Sequence, residues 1–279
     1  MRSYLWPGAV VLSILMLPGC ATRRANAPGL AQPRSTFAGA TVESSDKGLS
    51  EALLAAAFRP TPGNGLRVAK EYQRLGIIDA AQSRVDRVLE QAPHSAEAHE
   101  MMARLWRDSG VPWFALGYAH RAVYFSAPSS SAYNTLGTVL DALGRPDDAR
   151  QAYLKAFALD RSAAWALNNL CSLELRQGSL EDARTYCEAA VGVSPTLASA
   201  HTNLGFVHAA AGDFTKAKAA FLAGGDEAAA HYNIGIAHLA KGHFEAASSA
   251  FEEAIRARPD FTAAKSRARY ARAQALNKR

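Results

Sequence analysis

The feature that most restricts what this chain can fold into is a spacing. Gly76, Gly110, Gly144, Gly178 and Gly212 recur at steps of about 34 residues, and an alanine stands five places after each: Ala81, Ala115, Ala149, Ala183 and Ala217. Gly242 with Ala247 continues the series, arriving about four residues early. In the clearest copy, Ala163 to Pro195, two apolar-periodic runs flank Gln177-Gly178, which reads as helix, glycine stop, helix. A lone hairpin of this kind cannot bury its apolar face. Copies must stack, and the spacing predicts a row of helical hairpins.

Units begin near Pro62, Ala96, Ser130, Ala164, Ala198 and Ala228. The first helix of each carries an apolar residue and then a small one: Val68-Ala69, Met102-Ala103, Leu136-Gly137, Leu170-Cys171, Leu204-Gly205 and Ile234-Gly235. The second carries the periodic alanine, in several units a large residue four places on (Tyr153, Phe221, Phe251), and then a small one (Ala122, Ala156, Ala190, Gly224, Ala254). Small residues let antiparallel helices approach, and the large one is expected to fill the wedge toward the next unit. Pro93, Pro195 and Pro259 close second helices. In this small-large-small pattern and its period the chain resembles the tetratricopeptide repeat family over 62–261. The resemblance implies an all-α fold, a right-handed superhelix (α-solenoid) of about six helix-turn-helix repeats at 62–95, 96–129, 130–163, 164–197, 198–227 and 228–261. The family's frequent Trp at the fourth position is absent; His99, Tyr133, Leu167, His201 and His231 stand there.

Both ends of the array read as caps. Ser44-Ser45-Asp46 precede an apolar-periodic stretch over 48–58, with Leu49, Leu53, Leu54 and Phe58 expected on one face and Pro60 as its stop, so 46–61 is assigned as an N-terminal cap helix. Residues 262–279, with Lys265, Arg267, Arg269 and Arg272 turned outward, are assigned as a solvating C-terminal cap.

The N-terminus bears on the compartment. Arg2 is followed by an apolar run from Leu5 to Leu17, too short to span a bilayer, and then by Leu17-Pro18-Gly19-Cys20. That tetrapeptide resembles a bacterial lipobox, which implies a signal peptide over 1–19 and acylation of Cys20. Several acyl chains would anchor the protein stably, at about 0.8 kcal/mol per buried methylene. By the sorting habit of such lipoproteins, Ala21-Thr22 implies the outer membrane and a periplasmic face. Residues 20–45, rich in Ala, Pro, Gly, Ser and Thr, are expected to be a disordered tether.

Charge and motif content narrow the function classes. The net charge of +6 is spread through helical contexts with no aromatic-basic stripe, which argues against nucleic acid as a partner. No Ser-His-Asp order, phosphate loop or paired-acid constellation is evident, so no enzyme, catalytic residue or cofactor is expected. His201 and His208 recur as His231 and His238, with His243 nearby. Their spacing is not that of a tight chelating pair, and no metal is assigned.

In repeats of the resembling family, the second, fifth, sixth, ninth and twelfth positions of the first helix face a groove. Here they form a charged entrance containing Arg67, Lys70, Arg104 and Arg107, and a second zone with Asn134, Trp165, Asn168, Asn169, Asn203, Phe206, Tyr232, Asn233 and Ile236. Asn169, Asn203 and Asn233 are equivalent in three successive units, and a carboxamide can pair with the backbone of any extended peptide. The neighbouring aromatic and aliphatic residues supply apolar anchors. The plainer alternative is that these asparagines merely tolerate solvent while the apolar residues pack between first helices. The cations suit an acidic segment or a C-terminal carboxylate, or else a solvated face.

Cys171 and Cys187 lie at matching heights on either side of the Gly178 turn, which suits a disulfide in an oxidising compartment. The competing reading is two buried core thiols, since sister units hold Gly or Ala at the first position and Ala, Tyr or Phe at the second.

A repeat array behind a lipobox is also similar to the pilotin and pilus-assembly lipoproteins of type IV and tight-adherence pili. That likeness implies a scaffold for an envelope partner such as a secretin or pilus component. Other readings are an adaptor for cell-wall hydrolases or polysaccharide export and, from a different class, a metal-dependent hydrolase built on the histidines.

Overall fold

The computed structural model describes residues 46–277. Among these there are fourteen α-helices and no strand: α1 (Lys47–Phe58), α2 (Pro62–Arg74), α3 (Ile78–Gln91), α4 (Ala96–Asp108), α5 (Pro112–Phe125), α6 (Ser130–Ala142), α7 (Pro146–Leu159), α8 (Ala164–Gln177), α9 (Leu180–Val193), α10 (Ala198–Ala210), α11 (Phe214–Gly224), α12 (Glu227–Ala240), α13 (Phe244–Ala257) and α14 (Thr262–Asn277). The expected signal peptide, Cys20 and the expected tether lie outside the described residues. No described helix is long and apolar enough to cross a membrane. The helices form two compact bodies, one holding 46–160 and the other 161–277.

Local chemistry sets the hairpins. Gly76, Gly110, Gly144, Gly178, Gly212 and Gly242 all have φ between 69° and 92°, a left-handed conformation that glycine reaches without a Cβ clash, and each ends a first helix. The alanine five places later is fully buried in every copy, from Ala81 to Ala247. Prolines at the start of α2, α5 and α7 give up only an N–H that the first turn leaves unpaired. Asp46, Thr61, Ser95, Ser129, Asp213 and Asp226 cap their helices by accepting from the backbone N–H three residues on.

In the N-terminal body, α2, α3 and α4 share a core of Leu66, Val85, Val88, Met101, Met102 and Leu105. The cap helix α1 lies on α2, but its buried stripe is Leu49, Ala52 and Ala56 with Leu53 half-buried. Leu54 and Phe58, expected on that face, point to solvent, Phe58 being 84% exposed. Alanines bring α1 close to α2, and the larger side chains one step around the helix are left outside.

The large second-helix residues do two jobs. Phe221 and Phe251 reach the next unit as expected, Phe221 sharing a cluster with Ala230 and Ile234 of α12 and Phe251 with Ala268 and Ala271 of α14. All three rings, with Tyr153, also press on the glycines of their own hairpins. A Cβ added at Gly137, Gly205 or Gly235 would fall 2.6, 2.5 and 2.5 Å from those rings, respectively. The missing side chain is the socket for the ring.

In the C-terminal body, α11 has 11 residues where α9 and α13 have 14, which accounts for the early sixth unit. Its last residue explains the stop: a Cβ on Gly224 would lie 2.7 Å from the Ala198 carbonyl oxygen. The helix end is pressed against the start of α10. The chain then passes through extended Gly225 to Asp226, which caps α12 and pairs with Arg258. The last helix, α14, buries Ala264, Ala268, Ala271 and Ala275 against the preceding hairpin. Its cations divide: Lys265 and Arg269 are exposed, Arg267 is half-buried, and Arg272 pairs with Glu252 at 2.8 Å.

Candidate functional site

In each body the first helices form a row, α2, α4 and α6 in one and α8, α10 and α12 in the other. The proposed groove residues lie on these rows, and their side chains meet each other more than sequence alone suggests.

In the C-terminal body, the Asn203 Nδ2 donates to Asn168 Oδ1 at 2.9 Å, joining α10 to α8. The pair leaves the Asn168 amide hydrogens and the Asn203 carbonyl oxygen with spare hydrogen-bonding capacity. The spacing i, i+35 joins the fifth position of one first helix to the sixth of the next, so Asn203 meets Asn168 rather than its own equivalent Asn169. Trp165, one turn before Asn168, is the exposed aromatic of the set. Asn169 and Asn233 are half-buried on α8 and α12.

The other apolar candidates are partly spent on packing. Phe206 meets Phe221 edge-on at 4.9 Å between ring centroids and supports the core with Ile234. Tyr232 packs on Phe251 and Phe261, at 5.5 and 5.0 Å, and with Ile236 and Leu239 it supports the cluster of Phe251, Ala268 and Ala271 under α14. Tyr232 and Ile236 thus serve the C-terminal cap. Asn134 belongs to the other body, half-buried on α6.

The charged entrance is largely self-neutralised. Glu100 on α4 accepts from Arg104 Nη1 at 2.7 Å, Ser131 Oγ at 2.7 Å and Thr135 Oγ1 at 3.3 Å. Arg107 donates to Thr138 Oγ1 at 2.6 Å and to Asp108, and Asp108 accepts from Gln73 at 3.2 Å. These contacts tie α2 to α4 and α4 to α6: Arg107 itself reaches α6, while Arg104 pairs within α4 with the Glu100 that bridges to α6. Arg67 and Lys70 remain exposed on α2. Glu100 to Thr135 repeats the i, i+35 relation of Asn168 to Asn203. Searching for polar pairs at that interval is the signal that would have found both.

The histidines do not assemble a metal centre; among the described residues no group of three or more His, Cys, Asp or Glu is placed to hold an ion. His99 Nε2 and His201 Nε2 each lie 2.8 Å from the carbonyl of the proline six residues earlier, Pro93 and Pro195. Both latch a first helix to the end of the preceding second helix at the position where the resembling family favours Trp. His231 has Gly225 at the same offset and instead lies 3.8 Å from Glu227. His238 stacks on Phe214 at 3.9 Å and meets His243 at 3.5 Å between Nδ1 atoms. Burial, and then the neighbouring His243, hold the His238 pKa below its ordinary value.

Cys171 and Cys187 are joined in a fully buried disulfide with Cα atoms 5.2 Å apart. They occupy the two positions that Gly137 and Tyr153 fill one repeat earlier, and Gly205 and Phe221 one repeat later. A covalent bond stands where the sister hairpins have a ring in a glycine socket.

Comparison with known proteins agrees with this architecture. Tetratricopeptide repeat family models match residues 134–198, 198–223 and 228–261. The chain therefore carries tetratricopeptide repeats, which typically build interaction scaffolds without chemistry of their own. No curated protein matches it in sequence. Among solved structures it is similar to PilF of Pseudomonas aeruginosa, at 19% identity and TM-score 0.58 over 82% of this chain and 100% of that one. It is also similar to PilW, a type IV pilus biogenesis factor, at 20% identity and TM-score 0.61 over 72% and 94%. A tetratricopeptide repeat protein from Parabacteroides merdae matches at 16% identity and TM-score 0.60 over 80% and 90%.

Proposed function

We propose that this protein is a non-enzymatic scaffold, anchored through acylated Cys20 to the outer membrane and facing the periplasm. Its C-terminal first-helix row holds an extended segment of an envelope protein, a secretin or another pilus-assembly component. The observation that carries the binding reading is the Asn168–Asn203 pair beside exposed Trp165. It presents a donor and an acceptor next to an aromatic anchor, the combination that fixes register on a peptide backbone while accepting varied side chains. The disulfide suits an oxidising compartment. The likeness to PilF and PilW, each covered almost end to end, favours pilus biogenesis over a hydrolase adaptor or an export role.

The test is crosslinking and pulldown from envelopes with the anchored chain, against variants carrying Trp165→Ala with Asn168→Ala, and Asn169→Ala with Asn233→Ala. Loss of a secretin or pilus component from either variant, with an unchanged melting curve, is the expected result. Recovery of the same partners in the same amounts from both variants removes the groove assignment.

A further inference from the structure

Helix α5 buries one side and leaves the other bare. Ala115, Ala119 and Ala122 are fully buried where α5 packs against α4 and α6. At 100° per residue the opposite side presents Trp113, Gly117, His120, Arg121 and Tyr124, with Phe114 at its flank. Trp113 is 63% exposed, Phe114 56% and Tyr124 80%. Nothing lies within 4 Å of where a Gly117 Cβ would stand, so the stripe is open and flat along its middle. The whole of α5 carries no Asp or Glu.

Three large aromatic residues exposed on one helix are more than scattered surface apolarity. Trp and Tyr with Arg, and no carboxylate, are the side chains that settle at a membrane-water interface: the rings enter the acyl boundary while N–H, O–H and guanidinium stay with the headgroups. The body that holds α5 is also the one into which the N-terminal segment leads, since α1 begins at Lys47 within it. From Cys20 to Asp46 is about 26 residues, at most on the order of 90 Å of chain, so an anchored copy keeps α5 within reach of its own bilayer.

We infer that the outward face of α5 is a second membrane contact, seated in the headgroup region of the bilayer that holds the acyl chains of Cys20. This rests on the anchoring proposed above. Tethering makes the second contact intramolecular, so a weak stripe suffices to lay the N-terminal body on the membrane.

Residue-resolved hydroxyl-radical footprinting tests it. The acylated chain is reconstituted in vesicles of phosphatidylethanolamine and phosphatidylglycerol without other protein and compared with the Cys20→Ser chain free in solution. Labelling of Trp113, Phe114 and Tyr124 is expected to fall several-fold on vesicles while that of exposed Tyr270 stays unchanged. Equal labelling of the α5 residues in both states overturns the inference. So does protection that grows with protein concentration in the absence of vesicles, which assigns the face to a second copy. An N-terminal peptide without acyl mass sinks the anchor alone. The Cys20→Ser chain mixed with excess vesicles then decides α5: protection supports the contact and unchanged labelling removes it. Trp113→Ala with Tyr124→Ala, both at exposed positions, is expected to reduce co-flotation of that chain without altering its melting curve.

Discussion

Gly205 and Phe221 face each other so closely that a methyl group on the glycine would lie 2.5 Å from the ring. The residues come from opposite helices of one hairpin, and the contact sets how near α10 and α11 approach. Gly205→Ala should therefore cost about 1–3 kcal/mol through overpacking. Gly117→Ala, where a Cβ meets nothing, should instead stabilise by about 0.5–1 kcal/mol through helix propensity. Urea unfolding midpoints of the two variants should move in opposite directions.

The same socket explains how the disulfide can be replaced. Cys171→Ala should lower stability by about 2–4 kcal/mol and make the chain insensitive to reductant, because a closed loop is lost from the unfolded state. Cys171→Gly with Cys187→Phe installs the pair found in the next repeat, and it should recover much of that stability in dithiothreitol, where the wild-type chain weakens. Denaturant midpoints with and without reductant check this. A double variant no better than Cys171→Ala would show that the fourth hairpin cannot adopt the geometry of the fifth.

The period of the glycine stops made the hairpins legible in the sequence, because a left-handed stop and a fully buried alanine are demanded by backbone geometry wherever the unit occurs. The Cys171 and Cys187 positions were legible for the same reason: register alone placed them opposite each other. The groove was less so. Asn168, Asn203, Glu100 and Arg104 stand at positions that face a groove, but whether a side chain reaches outward or sideways depends on the residue one repeat away. Apolar character alone assigns Leu54 and Phe58 to the packed face of α1, but the close approach to α2 selects Ala52 and Ala56 for burial and leaves both larger side chains outside. The inter-repeat latches of His99 and His201 left no sequence signal beyond their shared offset from a proline.

His99 gives the fold a pH dependence in the mildly acidic range. It is 5% exposed, its Nε2 carries the proton shared with the Pro93 carbonyl, and its Nδ1 is buried without a partner. Burial holds its pKa below the ordinary 6.5; the Pro93 contact opposes that shift, and Arg121 and His94 add to it. The unfolded chain therefore binds the proton more readily. The contribution is fully present above pH 6.5 and is lost as pH falls toward the depressed folded value. His238 acts in the same direction. The carboxyls of Asp213 and Asp226, held low chiefly by the backbone N–H groups they cap, act in a separate window below 3.8. Melting temperatures between pH 7.5 and 5 should fall less steeply in His99→Gln, which keeps a donor for Pro93 and cannot gain the charge. An unchanged slope would remove His99 as the cause.

Glu100 separates the two readings of the charged residues on α2 and α4. Its side chain is only 12% exposed and accepts from Arg104, Ser131 and Thr135, so it joins two first helices from a site with little access to water. Glu100→Ala strands a guanidinium and two hydroxyls and should cost about 1–3 kcal/mol. Glu100→Gln keeps an acceptor oxygen in place and should cost less. Arg67, exposed on α2, should be replaceable by alanine within about 0.5 kcal/mol. If Arg104 were instead part of a peptide clamp, Arg104→Ala and Arg67→Ala would weaken partner capture alike and leave stability alone. A strut predicts the opposite: Arg104→Ala lowers the unfolding midpoint together with Glu100→Ala, and the double variant loses less than the sum of the two because the substitutions remove one shared interaction.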